Sequence, residues 1–337
     1  PFRSISLTGY SVGNTALVVE LILFISVIPI AGYWIASMPR LVTKRAVGWS
    51  FALLCVLFVE STSSDEPAGS RMLLIIVTLL WSMKAVVYAE LRQRGNCDLT
   101  FWQWLGFCVC WFGMRADVFS RNSGKPLPDW QAPIRRGVYC GSAGAALVFT
   151  AGWHGNSPDS VKTVPFQLWT ATALLLPGLS LVVHFGFFNI LTGAWRYFGV
   201  RCPPLFRAPL RSQSLAEFWG HRWNLAFSEM TALAVFRPLK QLPGRSRQAT
   251  MMATIGGFLF SGLLHELAIS VPVGAGFGLP ILYFAIHAAG MLLEKKLTFL
   301  KSPLAGRLWT ATWILLPLPL LFHRPFLQGC VWPIIGI

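Results

Sequence analysis

Apolar residues run along this chain in long unbroken blocks rather than in alternation. Eight blocks read as membrane-spanning helices, at about 17–37, 46–60, 71–90, 137–153, 164–185, 249–271, 280–295 and 303–323. A helix of roughly 20 residues crosses a hydrocarbon core ~30 Å thick. Continuous runs predict helices, whereas a barrel would alternate apolar and polar positions. The expected fold class is therefore all-α: a polytopic membrane protein of about eight transmembrane helices plus re-entrant or interfacial helices. It reads as a single domain over 1–337, with no repeat, low-complexity tract or soluble domain.

The polar intervals orient these spans. RLVTKR after the first run is basic, SSDEP after the second is acidic and ELRQRGNCD after the third is basic again. Basic loops stay cytoplasmic, so the first loop reads as cytoplasmic and the N-terminus as outside. The short segment FWQWLGFCVCWFG (101–113) lies between two basic intervals and cannot cross if both are cytoplasmic. It reads as re-entrant or interfacial, with its tryptophans at the interface. WHGNSPDS and SVPVGAGFG are nearly uncharged, while EKK and KSPLAGR are basic. The most basic stretch runs from Trp195 to Arg247. It carries Arg196, Arg201, Arg207, Arg211, Arg222, Arg237, Lys240, Arg245 and Arg247 against only Glu217 and Glu229.

Composition adds to this picture without changing it. Of 337 residues 54% are hydrophobic and 12% charged, about half the charged fraction of a soluble domain. The net charge of +15 would suggest nucleic acid in a soluble protein. Here the basic loops that set topology account for most of it, so no nucleic-acid partner is expected. Cys55, Cys108, Cys110 and Cys140 lie in apolar stretches, where a thiol acts as a small hydrophobe. Cys97, Cys202 and Cys330 stand near span ends. No CxxC pair and no Cys/His spacing suits zinc, so all seven read as structural and no metal is expected. The first residues show no leader pattern. A start without methionine reads as a position inside a longer chain.

The candidate chemistry sits in two stretches. SLAEFWGHRWN (214–224) opens with Ser214 and Glu217 in the S-x-x-E spacing of a capping box, which predicts a helix beginning at Leu215. Along that helix Trp219, Trp223 and Phe227 recur every four residues as one aromatic stripe, with His221 and Asn224 on a neighbouring polar part. By pattern alone it reads as an amphipathic helix at the cytoplasmic surface, with Arg222 reaching the headgroups. FLFSGLLHELAIS (258–270) places His265 and Glu266 inside an apolar run, where ionisable groups are costly unless paired or facing a polar cavity. Neutral imidazole is inexpensive to bury and titrates near pH 7, so His265 is a candidate base. Glu266 points about 100° away from it, and Ser261 lies one turn before it on the same face. His184 and His287 read as structural. Glu20 and Lys84 read as a pair between the first and third spans. His154 and His323 read as exposed or interfacial. Glu294, beside Lys295 and Lys296, needs no special account.

These residues carry a resemblance. SLAEFWGHRWN, preceded by PPLFRAPLRSQ and followed by FRP, resembles the wax-synthase-like branch of the membrane-bound O-acyltransferases. Its motif S-x-x-[DE]-F-W-G-x-R-W-N is filled from Ser214 through Asn224. A second family stretch, S-G-L-x-H-E, is matched by Ser261, Gly262, Leu263, His265 and Glu266. The resemblance covers about residues 200–290. It implies acyl transfer from an acyl-CoA, as substrate rather than cofactor, to a lipophilic alcohol acceptor among the membrane lipids. The implied acceptor is a long-chain alcohol, with a sterol, terpenoid, diacylglycerol or other specialised-metabolite hydroxyl, or acetyl-CoA as the donor, as the variant. It implies His265 as the catalytic histidine and Asn224 as the asparagine that works with it. Trp219, Trp223, Arg222, Ser261, Glu266, Arg207 and Arg211 are weaker substrate-binding candidates, the arginines for the phosphates of coenzyme A. The implied location is an integral membrane one: endoplasmic reticulum in a eukaryote, inner membrane in a bacterium. A transporter using Lys84, Glu20 and the intramembrane histidines is the competing class, against which no repeat or paired broken helices are found. A prenyltransferase would need aspartate clusters for magnesium diphosphate, and the five aspartates here are isolated.

Overall fold

The structure is a computed structural model, and it describes residues 8–95, 97–156, 164–237 and 247–337. Its first three long helices are α1 (Thr15–Ser37), α2 (Leu41–Thr62) and α3 (Ala68–Gln93). Two short ones follow, α4 (Phe101–Cys110) and α5 (Asp117–Ser120), and then α6 (Gln131–Gly155). Next, α7 (Val164–Ser180) continues through a π-helical stretch, Leu181–Phe187, into α8 (Phe188–Tyr197). Short α9 (Leu215–Glu217) and α10 (Leu225–Thr231) precede α11 (Arg247–Val273) and α12 (Leu279–Glu294). The chain closes with α13 (Pro303–Leu315), α14 (Leu318–Leu321) and α15 (Arg324–Phe326). The described residues contain no strand.

Among the described residues six helices are long and apolar enough to cross a membrane: α1, α2, α3, the continuous Phe166–Tyr197, Gln248–Val273 and Pro303–Leu321. The other two expected spans are helical but fall short. The helix over 137–153, α6, has the length, yet it carries Arg135 and Arg136 in its second turn and is rich in glycine and alanine. The run over 280–295 forms the 16-residue α12, about 24 Å long at 1.5 Å per residue and thus shorter than the hydrocarbon core. The integral membrane character shows in the exposed side chains, among them Leu23, Trp34, Leu57 and Leu316, which line faces that only lipid would cover.

The most enclosed span is α3, packed against α1, α2 and α11. Its Lys84 is fully buried and does not meet Glu20, which is exposed on α1. Instead the ammonium donates to the carbonyls of Phe107, Trp111 (2.5 Å) and Gly113 (3.2 Å), and sits over the Phe107 ring. Carbonyls at a helix C-terminus have no intrahelical partner, and a cation there satisfies them. Lys84 thus ends α4 rather than pairing across the spans.

At ten residues α4 is too short to cross, as its flanks imply. Thr100 and Gln103 close a capping box at its start. Its tryptophans divide. Trp102 is 77% exposed, as expected of an interface, but Trp104 is fully buried, stacks on Tyr88 and donates to the Pro29 carbonyl (2.7 Å). Trp111 is buried as well. His154 meets Thr170 Oγ1 (2.7 Å). His323, expected at the surface, is buried; its ring caps α15 and faces Ser270 Oγ. Lys240 and Arg245 of the basic stretch lie outside the described residues.

Candidate active site

The stretch 214–224 does not form the single helix that its spacing predicts. It begins as expected: Ser214 Oγ accepts from the Glu217 N–H (3.0 Å) at the start of α9. The reciprocal half of the box is diverted, because Glu217 Oε2 accepts from Gln213 N–H (2.8 Å) and Oε1 from Arg222 Nε (2.7 Å). The backbone then widens into a π-helical turn over Phe218–Arg222, is extended at Trp223, and reverses at Asn224. The aromatic stripe is consequently split. Trp219 faces Phe284 and His287 of α12, Trp223 faces Phe206 and His184, and Phe227 faces His265.

The polar residues of this motif hold the loop shut. The Arg222 guanidinium pairs with Glu217 and reaches the Arg207 carbonyl (3.2 Å). Backbone bonds Arg207 N–H to Arg222 O (2.8 Å) and Leu225 N–H to Leu205 O (2.9 Å) clamp 205–207 against 222–225. Arg222 is part of this clamp. Arg207 and Arg211, by contrast, are exposed. Glu294, unremarkable in the sequence, caps α9 from 78 and 79 residues away: its carboxylate accepts the Leu215 (2.8 Å) and Ala216 (3.0 Å) N–H groups.

The Gln213 N–H, aided by Arg222, holds the Glu217 carboxyl below its ordinary value of 4.5. A depressed pKa stabilises the fold above the unfolded value, and that stabilisation disappears as pH falls through the lower folded value. Wild-type thermal stability should therefore decline below about pH 4.5 more steeply than that of Glu217→Gln. Parallel melting curves from pH 3 to 6 in detergent would show it.

Asn224 takes a left-handed conformation, φ 42° and ψ 66°, one of two non-glycine residues with positive φ among those described. Asparagine tolerates that region better than most side chains. Its Oδ1 accepts from the Phe227 N–H and caps α10. Since only the oxygen can accept, the amide is oriented and its NH2 is left to donate elsewhere.

His265 lies part-buried on α11 with its ring between Phe227 (5.2 Å between centroids) and Phe284 (4.5 Å). Its Nδ1 is 2.8 Å from the Ser261 carbonyl. A carbonyl only accepts, so Nδ1 carries the proton and Nε2 carries the lone pair. Ser261 orients the ring as its position suggests, through its backbone rather than its hydroxyl. Glu266 is buried and serves the scaffold instead, since its Oε1 accepts from the Gly278 N–H (2.8 Å) and ties α11 to the start of α12. No carboxylate bonds to His265 among the described residues. Asn224 and His265 share no hydrogen bond; Phe227 stands between them, capped by one and packed on the other.

Gly262 explains why the second motif needs a glycine. A Cβ there would lie 2.8 Å from the Ile281 Cα of α12, inside van der Waals contact. This close approach brings Phe284 against His265. Gly262→Ala should push α12 away, destabilise the protein by about 1–3 kcal/mol, and lower turnover more than that loss of folded protein explains. Melting temperature and turnover per folded molecule would separate the two effects.

Residues 202–286, containing both motifs, match the model of the Membrane bound O-acyl transferase family. The chain is 40% identical over 70 residues to a probable long-chain-alcohol O-fatty-acyltransferase 6 of Arabidopsis thaliana, covering 20% of each chain. To a long-chain-alcohol O-fatty-acyltransferase of Simmondsia chinensis it is 29% identical over 136 residues, 35% of this chain and 39% of that one. An acyl-CoA–sterol O-acyltransferase 1 of Arabidopsis thaliana is 38% identical over 69 residues, 19% of each. The similarity thus spans well under half the length of these relatives.

Proposed function

We propose that the protein esterifies a lipophilic alcohol with an acyl group from a coenzyme A thioester, most specifically a long-chain alcohol to a wax ester. The observation that carries this reading is the aim of His265: with Nδ1–H engaged by the Ser261 carbonyl, Nε2 is an unprotonated base in a membrane-spanning helix. In this mechanism Nε2 takes the proton of the alcohol as its oxygen attacks the thioester carbonyl. The Asn224 NH2 donates to the oxyanion that forms. Collapse expels the coenzyme A thiolate, which takes the proton back from the imidazolium, leaving ester and free thiol. The ring between Phe227 and Phe284 needs no reorientation between the two proton transfers. The exposed Arg207 and Arg211 beside the motif would meet the phosphates of the donor.

A sterol acceptor is the second reading, favoured by the similarity to the sterol acyltransferase. Both place the protein in the endoplasmic reticulum of a eukaryote or the inner membrane of a bacterium. The test is release of free coenzyme A from palmitoyl-CoA by the detergent-purified protein, with hexadecanol, with a sterol, and with neither. Alcohol-dependent release supports the reading, and the better acceptor distinguishes its two forms. Absence of release with every acceptor and with acetyl-CoA as donor would remove it in favour of a binding or transport role.

A further inference from the structure

Leu210 is 95% exposed, the most exposed large apolar side chain among the described residues. It does not stand on a loose loop. Pro209–Arg211 form one turn of 3-10 helix, entered through Ala208 in a left-handed conformation, φ 46°. The Arg211 N–H donates to the Ala208 carbonyl (3.0 Å) and the Ser212 hydroxyl to the Pro209 carbonyl (2.7 Å). From the motif, Arg222 reaches the carbonyls of Arg207 (3.2 Å) and Ala208 (3.4 Å). A left-handed alanine is strained. The fold therefore holds this leucine outward at a cost that only a covering apolar phase would offset.

Its level in the fold says what covers it. The 3-10 turn packs against α13, whose start is also the start of the membrane-crossing Pro303–Leu321. The approach is close: a Cβ on Gly306 would lie 2.3 Å from the Gln213 carbonyl oxygen. Leu210 thus stands beside the end of a crossing helix, where side chains meet the headgroup region. Leu304 of the same helix is exposed as well, at 67%.

The charge around it has one sign. Lys295 and Lys296, after α12, and Arg307, in the second turn of α13, are all exposed. None of them forms an ion pair among the described residues. Within 207–217 and 294–307 the only acids are Glu217 and Glu294. The first is paired with Arg222, and the second accepts the Leu215 and Ala216 N–H groups. Topology alone accounts for basic residues at a cytoplasmic helix end. It does not account for a leucine fixed outward beside them.

We propose that Leu210, Leu304, Lys295, Lys296 and Arg307 form a docking surface for anionic phospholipid of the cytoplasmic leaflet. The leucines enter the acyl boundary and the cations meet the headgroups. Arg207 and Arg211, assigned to the acyl donor above, are no part of this surface, which stands whether or not the protein transfers acyl groups. The test is equilibrium binding of dioleoyl-phosphatidylglycerol and dioleoyl-phosphatidylcholine, which share their chains, to the detergent-purified protein.

Wild type should prefer phosphatidylglycerol by about tenfold or more at low salt, and the preference should shrink at high salt because the cations are exposed. The triple variant Lys295→Gln, Lys296→Gln, Arg307→Gln should bind the two lipids equally. Leu210→Ser keeps every charge and should weaken both lipids by about threefold or more. Glycerol 3-phosphate, which has no chains, should bind at least about tenfold more weakly than phosphatidylglycerol, and coenzyme A should not displace the lipid. Equal wild-type affinities for the two lipids, or a preference that survives in the triple variant, would overturn the surface. Displacement by coenzyme A would overturn it too, by giving these cations to the donor. Glycerol 3-phosphate binding as tightly as the lipid would leave a phosphate site and no lipid surface.

Discussion

Replacing His265 with alanine should lower alcohol-dependent coenzyme A release by about 10²–10⁴-fold, the usual contribution of a positioned general base. This corresponds to roughly 3–5 kcal/mol of barrier at 1.36 kcal/mol per tenfold. The size follows from what remains without it. The only other histidine ring touching Phe284 among the described residues is His287, fully buried behind it, and no carboxylate there bonds to His265. Binding of palmitoyl-CoA should change little, because the exposed arginines and the clamped motif loop do not depend on the imidazole. The measurement pairs turnover with donor binding on the same preparation. Turnover surviving within tenfold of wild type would exclude His265 as the base. Ser261→Ala is the instructive companion: the ring is aimed by a backbone carbonyl, so that variant should retain the activity that His265→Ala loses.

The second large effect is expected at Asn224, where structural and chemical roles share one amide. Oδ1 caps α10 through the Phe227 N–H, and the backbone is left-handed. Aspartate keeps an acceptor for the cap and tolerates the same backbone region, but it has no N–H to donate. Asn224→Asp should therefore fold with nearly unchanged melting temperature and lose about 10²–10³ in kcat, the loss seen when one oxyanion donor is removed. Asn224→Gly provides the contrast. It accepts the left-handed backbone without strain and removes both cap and donor, so it should lose the activity and some stability too. If Asn224→Asp were as active as wild type, the asparagine would be in the motif for its backbone alone.

Several features were legible without tertiary structure because they depend on local chemistry. Apolar blocks of helix length specify helices in a membrane, since no other local arrangement satisfies the backbone there. A histidine within such a block stands out because its polarity is costly. Ser214 marks a helix start because a hydroxyl three residues ahead of an N–H is a local cap. The 101–113 segment could be read as non-crossing from its length and flanks alone.

What the sequence could not reveal depended on groups far apart in the chain. Lys84 looked like the partner of Glu20 because both are ions in apolar runs. The fold instead presents it with three carbonyls at the end of α4, which periodicity has no means of showing. The aromatic stripe of 214–227 assumed an unbroken helix. The break arises because Glu217 turns to Gln213 and Arg222, and because residues 205–207 pair with 222–225. Trp219, Trp223 and Phe227 thereby face three different neighbours. Glu294 and Glu266 look alike as lone acids near helices, yet each is fixed by backbone N–H groups of another segment. The sequence by itself determined the membrane setting, the helices and the residues able to do chemistry, because those follow from side-chain polarity and local spacing. Tertiary structure alone decided which of those residues face one another, because hydrogen-bond geometry and ring contacts are set by packing between helices.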